Sequence, residues 1–107
     1  MFVLDNPDLL HQVLEAWEKA GVGGVTIIES TGMHRVRRKF IPMRFVPPVF
    51  DEEITHLTLF ALVKDEKLIQ ALQDASESVV GDLNNPNTGI FAAWPIATVK
   101  GLDKVGV

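Results

Sequence analysis

The sequence predicts a single α+β domain over residues 1–107, with four short strands and two helices in the order β-α-β-β-α-β. Three observations lead there. Two stretches place apolar residues at 3.6-residue spacing, as amphipathic helices do. Four short runs are rich in Val, Ile, Thr and Phe, as strands are. Between most of these segments lie clusters of Gly, Pro, Asn and Asp, the residues that suit turns.

The elements follow in chain order. Met1 to Leu4 is a short apolar run, read as the first strand. Asp5-Asn6-Pro7-Asp8 is a helix start, with a capping side chain, a proline in the first turn and an acid near the positive helix end. Leu9, Leu10, Val13, Leu14, Trp17 and Ala20 then mark one helix side, and His11, Gln12, Glu15, Glu18 and Lys19 the other. Gly21 closes that helix. Val25 to Thr31 reads as the second strand, framed by Gly23-Gly24 and Gly32. Residues 32–53 lack any helical or strand period, and so long a connection inside a small domain points to function or mobility. Ile54 to Val63 is the third strand, apolar on both faces toward its end, as a central strand is. Asp65 caps a second helix with Leu68, Ile69, Leu72, Ala75 and Val79 on its apolar side. Gly81 to Gly89 (GDLNNPNTG) is pure turn composition, Ile90 to Trp94 is a fourth strand, and Ile96 to Val99 is a candidate fifth.

Two right-handed crossovers in this order give the ferredoxin-like sandwich, an antiparallel four-stranded sheet with both helices on one face. The other sheet face then has no cover within one copy. With a strongly apolar third strand, and a chain short enough to bury only about two-thirds of its unfolded surface, self-association is expected.

Composition narrows the function classes. Apolar residues are 47% of the chain, enough for a core, and no stretch reaches the roughly 20 apolar residues of a membrane span. Asp5 and Asp8 interrupt anything like a signal peptide, so the cytoplasm is the expected compartment. Absence of cysteine removes disulfides, thiolate nucleophiles and Cys-ligated metals. The net charge of −4 argues against general nucleic-acid binding, yet Arg35, Arg37, Arg38, Lys39 and Arg44 crowd into one ten-residue stretch. They alternate with Met33, Phe40, Ile41, Met43 and Phe45, a mixture of arginine, Met and Phe suited to meeting an anion or a protein surface.

No catalytic constellation emerges. His11, His34 and His56 are not at ligand spacing, and read as unrelated surface or edge positions. Ser30, Ser76 and Ser78 lie outside any nucleophile-elbow context, with Ser76 and Ser78 read as solvated helix-end positions. Asp51-Glu52-Glu53 reads as an acidic flank of the third strand or as a neutralising partner of the basic loop. The 81–89 loop offers backbone N–H groups that suit a phosphate, but lacks a Walker A pattern and any Lys or Arg.

Two strings resemble the PII family of trimeric signal-transduction proteins of nitrogen regulation. EAWEKAGVGGVTIIESTGMHR (Glu15 to Arg35) looks like the family's helix end, second strand and entry to its long loop. Thr88-Gly89-Ile90-Phe91 resembles the end of its phosphate loop, and Pro7 falls where the family has a proline after the first strand. The resemblance implies a homotrimer whose sheets pack together, with nucleotides bound in clefts between subunits. Carried over, Gly24, Val25 and Thr26 touch adenine and ribose. Gly81 to Gly89, with Asn87 and Thr88 among them, approach the phosphates, and Arg35 and Lys100 add charge. The long basic loop, with Arg37, Arg38, Lys39, Phe40 and Arg44, corresponds to the effector loop that docks on a target protein, an enzyme or a membrane transporter. The residues fix no cofactor; the resemblance implies ATP, ADP or AMP. Departures set this chain apart. It has no tyrosine for uridylylation, no Ser or Thr between Gly32 and Ile54, Asn6 in place of a family lysine, Val36 in place of a glutamine, and no lysine in the 81–89 loop. They imply a less charged nucleotide or another small metabolite. The alternatives are a CutA-like trimer binding divalent metals and a ligand-free oligomeric interaction module.

Overall fold

The computed structural model describes residues 1–30 and 56–102. β1 (Phe2–Leu4) leads directly into a helix start. The extended backbone of Asn6 lets its side-chain oxygen accept the Asp8 N–H at 3.0 Å, and Pro7, with no N–H to leave unpaired, opens a 3-10 turn over Pro7–Leu9. α1 (Leu10–Lys19) continues from that turn, with Val13 and Trp17 as its buried stripe. His11 and Glu15 face each other across one turn of its solvent side, 3.2 Å apart. Gly21, at φ +110°, ends the helix in a Schellman motif. Its N–H donates to the Glu18 carbonyl and the Val22 N–H to the Trp17 carbonyl, both at 3.0 Å, which returns Val22 to the core.

β2 (Thr26–Ser30) and β3 (His56–Phe60) follow as an antiparallel pair. Asp65 accepts the Lys67 N–H at 2.9 Å ahead of α2 (Lys67–Val80), as the sequence predicts, and Gly81 at φ +92° stops that helix. β4 (Gly89–Phe91) completes a sheet of order β2-β3-β1-β4 in which every pair is antiparallel. The architecture is α+β, a four-stranded antiparallel sheet with two helices among the described residues, and is compatible with the ferredoxin-like sandwich.

Register explains the core. Phe2 lies opposite Leu59 on one side and Phe91 on the other, and Leu4 opposite Leu57 and Gly89. Opposed residues of antiparallel strands share a face, so these side chains form one surface. Val13 and Trp17 of α1 and Leu72 of α2 close over it, which puts both helices on that face. Trp17 and Phe91 flank Phe2 with ring centroids 6.3 and 6.4 Å away. Ser76 corrects the sequence reading: it is fully buried, because the helix face that carries Leu72 also carries position 76. Its hydroxyl accepts the Trp17 indole N–H at 2.9 Å and donates to the Leu72 carbonyl at 2.8 Å.

The opposite face carries Ile28, Thr58, Val3 and Ile90 in one row across all four strands. Ile28 is 49% and Ile90 62% exposed. Beyond Phe91 the ladder closes at one more pair: Ala92 N–H donates to the Met1 carbonyl and the Met1 amine to the Ala92 carbonyl, both at 2.9 Å. The expected fourth strand is therefore shorter than Ile90 to Trp94, and Ile96 to Val99 forms no strand among the described residues. Among those residues no helix is long and apolar enough to cross a membrane.

Two measurements check this account. Ser76→Ala leaves the indole N–H buried without an acceptor and should cost about 1–3 kcal/mol by urea denaturation. Burial also holds the Met1 amine below its ordinary value of 8.0. The folded chain therefore binds that proton less readily than the unfolded chain. Stability should be fullest above pH 8.0 and fall as pH drops through the window below it, while an N-acetylated chain shows no such slope there.

Candidate functional site

The residues assigned to ligand binding fall into two groups in the structure. Gly24, Val25 and Thr26 form the approach to β2 and its first residue; Gly24 and Thr26 are exposed and Val25 is half-buried against the core. The other group is the 81–89 loop, which the chain holds with its own polar groups. Glu77 accepts the Leu83 N–H at 3.0 Å, and Asp82 accepts the Asn84 N–H at 2.9 Å in an Asx turn. The Thr88 hydroxyl donates to the Asn85 carbonyl at 2.9 Å and is buried, directed at the loop's own backbone. Asn87 takes the left-handed conformation at φ +64°, which asparagine tolerates.

Gly89 has a structural reason of its own. It sits at φ +138°, and a Cβ there would run into the Val3 carbonyl oxygen and lie 3.1 Å from Phe2 Cε1. β4 can pair with β1 at this point only because the position has no side chain.

The strand order sets the two groups apart. Thr26 pairs with Phe60 at one end of the β2 edge, while Gly89 pairs with Leu4 at the other end of the sheet, on the β4 edge. Three strand spacings across and three residues along separate them by roughly 17 Å. One copy therefore keeps the two groups at diagonal corners of its sheet. Lys100 lies beyond β4 and is exposed. Arg35 and the loop residues Arg37, Arg38, Lys39, Phe40 and Arg44 lie outside the described residues. The connection that carries them leaves from Ser30 and returns at His56, at the sheet end where Gly89 also lies.

At that end the structure assembles a polar cluster that the sequence did not suggest. His56 Nε2 faces Asp5 Oδ1 at 3.6 Å, with side chains 13% and 25% exposed, and Nε2 has no hydrogen-bond partner among the described residues. Ser30 Oγ and Thr58 Oγ1 share a hydrogen bond of 2.8 Å beside it. The sequence reading of His56 as an unrelated edge position missed this pairing, since 51 positions separate it from Asp5 and only the β1–β3 register brings the two together. Among the described residues no group of three or more His, Asp or Glu side chains is placed to hold a metal ion.

Comparison with known protein families and with curated proteins returns no match.

The glycine argument can be checked directly. Gly89→Ala should cost about 2–5 kcal/mol, combining left-handed strain with a clash against backbone. Gly23→Ala, where an added Cβ meets nothing within 4 Å, should leave the urea midpoint unchanged or slightly raised.

Proposed function

We propose that this chain is a PII-like regulatory protein and not an enzyme. Three copies assemble, a small ligand binds in the clefts between them, and the basic 32–53 stretch contacts a target protein, an enzyme or a membrane transporter, in the cytoplasm. An adenine nucleotide (ATP, ADP or AMP) is the ligand class this reading assigns.

The observation that carries the reading is the diagonal separation of Thr26 and Gly89. Two half-sites on opposite edges can serve one ligand most simply when they come from neighbouring copies. The row Ile28, Thr58, Val3 and Ile90 supports assembly, because Ile28 and Ile90 stand exposed at its two ends, which is costly in water and natural at an interface. The loop itself bears on the ligand's charge. Asp82 is the only charged side chain between Gly81 and Gly89, so backbone N–H groups rather than cations would meet a phosphate there. That favours AMP over ATP. The metal-binding alternative has the His56–Asp5 pair available, which is short of the three or four ligands of a usual zinc site.

Calorimetric titration of the full chain with ATP, ADP and AMP at millimolar concentration tests this. Binding at one site per copy is expected. Lys100→Ala should weaken ATP at least about tenfold and AMP less, in line with loss of a charge-assisted contact. No binding of any of the three would sink the nucleotide version, and zinc binding abolished by His56→Ala would favour the metal reading instead.

A further inference from the structure

β2 is an edge strand with exposed side chains on both of its faces. All of its first four residues are exposed, Ile28 on the open sheet face and Ile27, at 41%, on the face the helices cover elsewhere. Its outer backbone groups have no strand partner among the described residues. Glu29 is its only charged residue, and it contains no proline or lysine of the kind that protects edges. The same chain carries an unpaired segment with the complementary need. After Ala92 the backbone makes no strand pairing among the described residues, yet Trp94, Ile96 and Val99 are 52%, 49% and 43% exposed.

The segment cannot serve the β2 of its own copy. β4, from which it departs, is three strands from β2, and reaching the far side of that edge means crossing about 19 Å, the length of roughly six extended residues. Residues 93–99 would be used up in the crossing. A neighbouring copy has no such obstacle.

We propose that residues 93–99 of one copy add as a strand to the free β2 edge, Thr26–Ser30, of the next copy. Main-chain hydrogen bonds complete the edge, and Trp94, Ile96 and Val99 are covered together with Ile27 and Ile28. The contact is head-to-tail: each copy gives its 93–99 segment and receives another on β2. Contacts of this kind close into rings when the rotation permits. Run antiparallel to β2, the segment also brings Lys100 of one copy beside Thr26 of the next, joining groups that a single copy keeps apart. It rests on the assembly proposed above and deepens it.

Light scattering of the full chain, with hydrogen exchange of the β2 amides, tests the pairing. The full chain should scatter as three copies and protect the outward β2 amides. Trp94→Asp/Ile96→Asp, at positions already half exposed in one copy, should lower the mass threefold and speed exchange at those amides while leaving the β1–β3 amides protected. Single Ile96→Asp is the milder second variant and should raise the concentration needed for assembly at least tenfold. A trimer that persists in both variants, or whose outward β2 amides exchange freely, overturns the pairing but leaves assembly standing. A full chain that stays monomeric at tens of micromolar overturns both, and protected β2 amides in that monomer would assign the edge to the chain's own remaining residues. Nucleotide binding is read separately by titration.

Discussion

The indole of Trp17 can be satisfied only when both helices lie over β1. Its ring packs beside Phe2 while its N–H reaches the hydroxyl of Ser76 on α2. Buried N–H groups without acceptors are costly, so this one bond ties the angle and depth of the helix layer to the central strand. Ser76 in turn donates to Leu72, whose side chain belongs to the same core. Phe2 and Leu4 are paired on both sides, and the register set there passes outward to β3 and β4. The whole sheet is thus organised from three residues of β1 and two helical side chains.

That arrangement covers one sheet face with both helices and leaves Ile28 and Ile90 exposed on the other. It also distributes the candidate binding residues to opposite edges, because β2 and β4 are the two outer strands of the order β2-β3-β1-β4. The same topology that makes a small core possible leaves the open-face row, the β2 edge and the 93–99 segment without strand partners among the described residues of one copy.

Much of the fold was legible because it depends on local periodicity and punctuation. The α1 stripe of Val13 and Trp17, the Asn6-Pro7 start, the Gly21 and Gly81 stops and the Asp65 turn all act within a few residues of themselves. Errors came where a position's fate depends on distant partners. Ser76 reads as polar and exposed in sequence, and is buried because an indole 59 residues away needs its oxygen. His56 and Asp5 carry no sign of each other until the β1–β3 register sets them face to face. Ile96 to Val99 has strand composition, but a strand needs an edge to join, and the described strands of one copy offer none within reach.

The sequence by itself therefore determined the α+β class, the order of elements, the two helix faces and the resemblance that suggests a ligand class. Those follow from side-chain periodicity, turn chemistry and short strings. The tertiary structure alone decided that Gly89 is required by the close approach to Val3. It alone placed Thr26 and Gly89 at diagonal corners and left β2 without an outer strand partner among the described residues. Strand order is set by which distant segments share a core, and no local pattern encodes that choice.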